Sequence, residues 1–412
     1  MRSGQMKKIV ILTNRYPYYP GESFFDTELK TIACQFEEID IVSVNGTGKR
    51  RETLDRAIVH QLSGNVGYLQ LVAAFFRDRQ ARKWLKSDLG RAKRKGWKAP
   101  FILINWLGRA VLIRNYIQKQ FKCLDDRLFY SYWLTPSALA LALLKETNPK
   151  MTAVSRAHGG DLYETRHSPP YLPLQQKMIE TLDLIFPISE DGKNHLMEQY
   201  PDKKEKLKVS RLGTIDPGFL ARRSDDGIFR IVTCSYIKPV KRLELLVDAL
   251  KEIEIKAHWT HIGDGPHRAQ LEEKAKNLLP PHVSYRFTGA LTNEEIYAFY
   301  EKEPVDVFIN VSSSEGIPVT IMEAFSSGIP AIATNVGGVK ELVTEENGML
   351  LAPDLTPKQL AEAIGGFAKL SVQEKQHYSK KAYETWKEYY YAKKNYTDFI
   401  TGLKNWSHQE HE

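Results

Sequence analysis

Two carboxylates, Glu315 and Glu323, stand seven residues apart in the run Ser312 to Val343, SSSEGIPVTIMEAFSSGIPAIATNVGGVKELV. An apolar run, Val305–Val311, precedes them and reads as a strand. A polar loop follows, and Pro318 suits the first turn of a helix, where no backbone donor is needed. The pattern predicts a helix to about Ser326, a stop at Gly328 and a next strand over Ile329–Thr334. A helix N-terminus behind a glycine-containing loop offers free N–H groups and partial positive charge, which suit a phosphate. A carboxylate accepts two hydrogen bonds and matches a vicinal diol. Two carboxylates flanking an anion site therefore describe a ligand with phosphate between two hydroxylated rings, a sugar nucleotide. The spacing alone also fits a loop charge at Glu315 and a solvated helix position at Glu323.

The elements that must position these groups alternate between short β-branched runs and longer helical patterns. Lys8–Thr13, Ile39–Val44, Leu128–Tyr132, Thr152–Arg156 and Leu184–Ile188 read as one series of strands, with a helical pattern over Phe24–Phe36. A second series runs through Ile228–Cys234, Ile255–Ile262, Val283–Thr288, Val305–Val311 and Pro330–Thr334. Pro217–Gly227 is rich in Asp, Arg, Gly and Ser without apolar period, and reads as the linker. The fold class is α/β: two doubly wound Rossmann-like domains facing across a cleft, with ligands expected at the carboxyl ends of the strands.

Glu315 to Glu323, with Glu323-Ala324-Phe325, Gly328, Pro330 and Gly337-Gly338…Glu341-Leu342, resembles the signature of the family-4 retaining glycosyltransferases of GT-B architecture. Gly263-Asp264-Gly265-Pro266, Phe287-Thr288-Gly289 and Asn347-Gly348 are weaker echoes of that family, and Arg156-Ala157-His158-Gly159-Gly160-Asp161 looks like its strand-end histidine loop. The resemblance implies that Glu323 binds the nucleotide ribose and Glu315 the donor-sugar hydroxyls. Backbone amides of Gly316, Ile317, Pro318, Val319 and Thr320 would then surround sugar and phosphate, Pro318 lacking an N–H of its own. The family carries an Arg, then a Lys five residues later, near the start of its second domain. Here Lys241 takes the Lys position and Tyr236 replaces the Arg, leaving Lys238 or Arg242 to supply the second cation. Fixed cations there would stabilise charge growing on the leaving diphosphate. His158, ahead of two glycines, would contact donor sugar or phosphate, and a histidine satisfied within its own loop is the other reading. Asp161 would orient the imidazole or cap a helix. Gly21 would lie near diphosphate and acceptor, or mark a Pro-Gly turn before a serine cap.

By the same resemblance, residues 1–220 form an acceptor-binding domain and 221–388 a donor-binding domain. The tail 389–412 is a helix crossing back to the first domain, because Tyr389, Tyr390, Tyr396, Phe399 and Trp406 need a surface to bury against. The expected reaction is retaining, metal-independent transfer of a hexose from a nucleotide-diphosphate sugar to a hydroxyl acceptor, in bacterial surface polysaccharide or glycolipid synthesis. A GT-B sugar-nucleotide epimerase and a non-catalytic nucleotide-sugar-binding subunit of a transferase complex are the alternatives. No cofactor is expected beyond the nucleotide-sugar substrate, and no metal: the chain has no Asp-x-Asp triplet and no His-Glu-x-x-His.

Arg77 to Lys98 carries ten basic residues against two acids, Asp78 and Asp88, with Trp84 and Trp97 interleaved. Basic and aromatic residues together favour an anionic membrane surface, and a solvated helical face is the other reading. Nucleic acid is not expected, because no recognition motif accompanies the charge. The remaining composition is that of a globular protein: 412 residues, 42% hydrophobic, 26% charged, net charge +8. Cys34, Cys123 and Cys234 form no disulfide or zinc pattern, which fits a reducing compartment. No targeting segment or membrane span is read from the sequence, so the expected location is cytoplasmic, peripheral at the inner face of the cell membrane.

Overall fold

The computed structural model describes residues 7–19, 21–22, 24–62 and 66–409. The chain divides into two compact units. The first comprises Met1–Arg211 with Tyr396–Glu412, and the second Leu212–Asn395. The division thus falls ahead of the expected boundary at residue 220, and the return to the first unit begins at Tyr396.

Six strands build the first unit's sheet: β1 (Lys8–Thr13), β2 (Glu38–Ser43), β3 (Ala57–Gln61), β4 (Leu128–Ser131), β5 (Thr152–Ala157) and β6 (Leu184–Pro187). Six more build the second: β7 (Phe229–Cys234), β8 (Ala257–Ile262), β9 (Val283–Gly289), β10 (Val307–Asn310), β11 (Ala331–Thr334) and β12 (Gly348–Leu351). The orders are β3-β2-β1-β4-β5-β6 and β12-β11-β10-β7-β8-β9. Every strand pairing is parallel, as where Ile9 faces Ile39 on one side and Leu128 on the other. Parallel sheets are covered on both faces, which is why the central strands read as near-continuous apolar runs. The strands β3 and β12, each at one edge of its sheet, escaped the sequence reading, and Ile58 of β3 is exposed.

Each unit has its own core. In the first, Val10, Leu12, Val42 and Phe129 of the sheet pack with Leu139, Ala142 and Leu143 of helix Pro136–Thr147. In the second, Ile231, Trp259, Ile309 and Ile332 pack with Leu246, Leu250 and Ile364. Trp259 is fully buried, and its indole N–H donates to Thr233 Oγ1 at 2.9 Å.

Arg156 on β5 is fully buried at the centre of the first unit. Its guanidinium donates to Glu28 Oε1 (3.0 Å) on helix Phe25–Ala33, to the Tyr130 hydroxyl (2.8 Å) on β4 and to the Ser210 carbonyl (2.7 Å). It also lies over the ring of Phe399 at 4.8 Å. Phe399 belongs to helix Ala392–Gln409 and packs edge-on against Phe186, and Lys404 of that helix donates to the Gln35 carbonyl at 2.6 Å. The tail aromatics therefore divide. Tyr396 and Phe399 are buried in the first unit. Tyr390 counts with the second unit and donates its hydroxyl to the Glu341 carbonyl, and Tyr389 is exposed. Both were expected on the first unit.

Removing one partner of a buried ion pair leaves the other uncompensated, at a cost of about 3–5 kcal/mol. Arg156→Met should therefore destabilise the first unit by about that amount, read as faster amide exchange in β4 and β5. Adding Glu28→Gln should restore much of the protection; exchange unchanged by Arg156→Met would refute the role assigned to the pair.

Candidate functional site

In each sheet the strand order reverses between the first and fourth strands of the unit, β1 beside β4 and β7 beside β10. Crossover helices on either side of the reversal run to opposite faces, and ligands of such folds bind beyond the carboxyl ends of those strands. The groups singled out in the sequence lie at these ends.

In the second unit, β7 leads through Ser235–Lys238 into a single 3₁₀ turn, Pro239–Lys241. Lys241 donates to Glu315 Oε1 at 2.7 Å, and Asn310 at the end of β10 lies 3.4 Å from the same oxygen. A cation after β7 and a carboxylate after β10 thus meet above the reversal. The Glu315 loop is held from several sides. The Ser313 amide donates to the Val240 carbonyl at 2.8 Å, and Thr334 Oγ1 to the Ser312 carbonyl at 2.6 Å. Three nitrogens of Arg242 donate to the carbonyls of Val311, Pro353 and Ser312, at 2.6, 2.6 and 3.3 Å. Arg242 is thereby a loop-holding residue, and Lys238 is the exposed cation of the turn, beside the exposed Tyr236.

Gly337 and Gly338 back the loop from the other side. Gly337 has φ +54°, and a Cβ there would strike the Glu315 carbonyl oxygen. A Cβ on Gly338 would meet Ile317 Cγ1 at 2.6 Å. Only glycine admits both the left-handed backbone and the close approach. Ile317 and Pro318 point into this packing and are buried, while Gly316, Val319 and Thr320 are half-buried.

Helix Val319–Ser326 begins at Pro318 with no side-chain cap. The amide of Ile321 is the first to reach back, to the Pro318 carbonyl at 3.1 Å. The amides ahead of it form the uncapped, partially positive end of the helix. Glu323, one turn in, is buried, and Asn293 Nδ2 donates to its Oε1 at 2.5 Å. Burial pushes its carboxyl up to about 8, against the opposing effect of the Asn293 bond. At neutral pH the group is mostly protonated, a carboxyl held in reserve for a partner that donates to it.

In the first unit, His158 follows β5 and is buried. Its ring stacks against Trp133 at 4.2 Å and lies 5.0 Å from the Tyr132 ring. Asp161 does not hydrogen-bond the imidazole, whose Nδ1 is 3.7 Å away. It accepts instead from the amides of His158 (2.6 Å) and Leu134 (2.8 Å), tying the loops after β5 and β4 together. Both ring nitrogens of His158 are buried without a hydrogen-bond partner. Such groups are costly unless something else meets them.

Gly21 sits in the loop after β1, where a Cβ would meet Arg15 Cβ at 2.5 Å and the Tyr18 carbonyl at 2.8 Å. Its neighbour Glu22 was not foreseen. The buried Glu22 carboxylate accepts from the amides of Asn14, Arg15 and Tyr16, and from the indole N–H of Trp133 at 2.9 Å. It fixes both the β1 loop and the wall on which His158 stacks. Nothing in the sequence run Tyr18 to Phe24 distinguishes this carboxylate from a turn charge. Trp133, Asn293 and Asn310 were missed for the same reason, since each acts through a group distant in the chain.

Lys241, Glu315 and the helix carrying Glu323 are brought together in the second unit. His158 and Gly21 are strand-end groups of the first.

Residues 222–385 match the family described as "Glycosyl transferases group 1". The "Putative colanic acid biosynthesis glycosyltransferase WcaL" of Escherichia coli is 26% identical over 249 residues, 58% of this chain and 61% of that protein. The Salmonella typhimurium protein of the same name is 23% identical over 57% of this chain and 60% of its own length. The chain therefore spans less than two thirds of these relatives. Among solved structures, the lipopolysaccharide outer core galactosyltransferase WaaB aligns with TM-score 0.70 at 16% identity, over 96% of this chain and 99% of that one. The Anabaena protein HepE, solved in complex with UDP-glucose, aligns with TM-score 0.63 at 17% identity, over 97% and 99%. With two six-stranded parallel sheets, each reversing at its centre, the chain has the GT-B fold, and its second unit carries the group 1 glycosyl transferase pattern.

Proposed function

We propose that this chain is a retaining glycosyltransferase that moves a hexose from a nucleotide-diphosphate sugar to a hydroxyl acceptor. The observation that carries the reading is the set around the second reversal point: the Lys241–Glu315 pair, the uncapped helix end at Val319 and the buried Glu323. In this reading the diphosphate takes the amides at the helix end, with Lys241 and Lys238 as cations. Glu315 receives sugar hydroxyls and Glu323 the ribose diol. His158, at a strand end of the first unit with both ring nitrogens unpartnered among the described residues, is that unit's candidate group for a sugar or phosphate. Transfer is front-face. The bond from the anomeric carbon to the diphosphate oxygen breaks, the acceptor oxygen bonds to that carbon, and the acceptor proton passes to the leaving diphosphate oxygen. No enzyme nucleophile is required, and the side chains act by positioning and by stabilising charge on the diphosphate. The group 1 match supports the activity, and the named relatives support a place in bacterial surface polysaccharide synthesis. Transfer by the purified chain alone, with retention at the anomeric carbon, is the direct test; donor binding without transfer or hydrolysis would favour a non-catalytic subunit.

The structure revises the basic segment. Helix Arg79–Lys95 buries Trp84, whose indole donates to Glu146 at 3.0 Å, so this tryptophan anchors the fold rather than a membrane. Arg91 and Lys95 are paired with Glu164. Arg79, Arg82, Lys86, Lys93 and Arg94 stay exposed without a carboxylate partner among the described residues, and at 3.6 residues per turn they fall within about 120° of the helix circumference. Trp97 is 76% exposed just beyond the helix, and Phe101 is exposed on the next. No helix among the described residues is long and apolar enough to cross a membrane. We place this face on the anionic inner surface of the cell membrane, where a lipid-carried acceptor would be met.

Three outcomes follow from this reading. Glu323→Ala should weaken donor binding by about 1.5–3 kcal/mol, the value of hydrogen bonds to a charged group. Ribose hydroxyls donating to Glu323 favour its ionised form, so binding should release a proton and tighten as pH rises from 6 toward 8. Calorimetry across pH checks both, and a flat pH profile would remove the ribose assignment.

Transfer should survive EDTA, because Lys241, Lys238 and the helix end supply the positive charge. Activity lost to the chelator and restored by manganese or magnesium would count against this mechanism.

Vesicle sedimentation should need anionic lipid and weaken with salt. Each exposed basic residue near such a surface contributes about 1 kcal/mol, so the triple change Lys93→Glu, Arg94→Glu, Lys98→Glu should release the protein while donor binding persists. Equal sedimentation with neutral lipid would return the face to ordinary solvation.

A further inference from the structure

Most of the chain's partly buried arginines meet a carboxylate, as in Arg114 with Asp78, Arg156 with Glu28 and Arg230 with Asp226. Three at the carboxyl edge of β1 and β2 do not. Arg15 follows β1, Arg51 follows β2, and Arg109 reaches the same edge from helix Ala99–Gln120. They are knit into one surface. Arg15 Nη2 lies 3.3 Å from the Tyr19 carbonyl and 3.4 Å from Thr47 Oγ1. Arg51 donates to the Gly21 carbonyl at 2.6 Å, and its guanidinium lies 4.5 Å above the Tyr19 ring. Arg109 Nη1 lies 3.3 Å from Asn45 Oδ1, and Asn45 donates to Asn14 at 2.7 Å.

Among the described residues, the buried Nε atoms of Arg15 and Arg51 have no hydrogen-bond partner. The carboxylate in the same loop, Glu22, accepts from three backbone amides and the Trp133 indole and forms no ion pair with either arginine among the described residues. Three guanidiniums at strand ends near the first unit's reversal point therefore make their printed hydrogen bonds to uncharged groups and no ion pair with a carboxylate among the described residues. Guanidinium groups match carboxylate and phosphate oxygens in geometry as well as charge. Around them lie hydroxyl-binding groups, Asn14, Asn45 and Thr47, and an exposed aromatic ring, Tyr19. Amides and a ring face suit a sugar, the ring offering a flat apolar body. An uncharged saccharide would leave the three cations unmet.

We infer that the edge of the first unit formed by Arg15, Arg51, Arg109 and Tyr19 is a binding site for an anionic saccharide, one carrying a carboxylate or a phosphate. This rests on the transferase reading above and narrows it: the acceptor is acidic. A uronic-acid residue and a sugar phosphate share the required chemistry.

Calorimetry on the full chain separates the outcomes. The probes are a glucuronic-acid disaccharide, the same disaccharide with its carboxyl reduced to an alcohol, glucose 1-phosphate and UDP. At least one anionic saccharide should bind about ten-fold or more tighter than the neutral disaccharide, and more weakly as salt rises. The uronic disaccharide binding best assigns a carboxylated acceptor, and glucose 1-phosphate binding best a phosphorylated one. Arg109→Gln, and separately Arg15→Gln, should lower anionic binding about ten-fold without changing UDP affinity. Equal binding of acidic and neutral disaccharides, no saccharide binding, or anionic binding indifferent to both variants would overturn the inference. So would a parallel fall in UDP affinity, which would assign these arginines to the donor diphosphate. UDP failing to bind the unsubstituted chain would count against the transferase reading instead, since that titration does not depend on the acidic saccharide.

Discussion

A parallel six-stranded sheet has two apolar faces, and its crossover helices must be shared between them for both to be buried. With right-handed crossovers the winding has to reverse at one point, and the loops on either side of that point part. In this chain the reversals lie at β1/β4 and β7/β10. The strand ends there are the positions whose backbone is not consumed by packing, and they carry Lys241, Asn310 and Glu315 in one unit and Glu22, Trp133 and Arg15 in the other. In each unit the openings at these strand ends are thus a consequence of how its sheet is covered.

Charge is handled differently at each buried position, and the differences have chemical meaning. Arg156 and Glu28 are both wholly buried and directly paired, with the Tyr130 hydroxyl and the Ser210 carbonyl each accepting one further guanidinium N–H. That arrangement is structural, and it fastens the returning helix through Phe399. Lys241 and Glu315 are paired but remain partly accessible, so a ligand can replace either partner. Glu323 has no ion-pair partner among the described residues, and burial raises its carboxyl to about 8, favouring the protonated form at neutral pH. Arg15, Arg51 and Arg109 show the opposite imbalance, cations without a carboxylate.

The helix Arg79–Lys95 serves two demands with one amphipathic segment. Its inner face contributes Trp84 and Asp88 to the fold, where Asp88 accepts from Tyr171 at 2.6 Å and from the Leu174 amide at 2.9 Å. Its outer face keeps the lysines and arginines in solvent. Charge counted along the chain merges these faces, since Arg91 and Lys95 add to the total while being neutralised by Glu164.

The sequence by itself determined the α/β class, ten of the twelve strands and the run from Glu315 to Glu323. These are local properties: hydrophobic period, β-branching, and the proline and glycines that start and stop a helix. It did not disclose β3 and β12, each at one edge of its sheet. Nor did it show that Arg242 holds a loop, that Asp161 ties two loops rather than the imidazole, or that Glu22 is the clamp of the β1 loop. Each of those roles depends on a partner brought near by the fold, and a side chain's type does not say which partner it will meet. Protonation at Glu323 and the unmatched charge of Arg15, Arg51 and Arg109 were decided by tertiary structure alone, because both depend on how much water and which opposite charges packing leaves beside them.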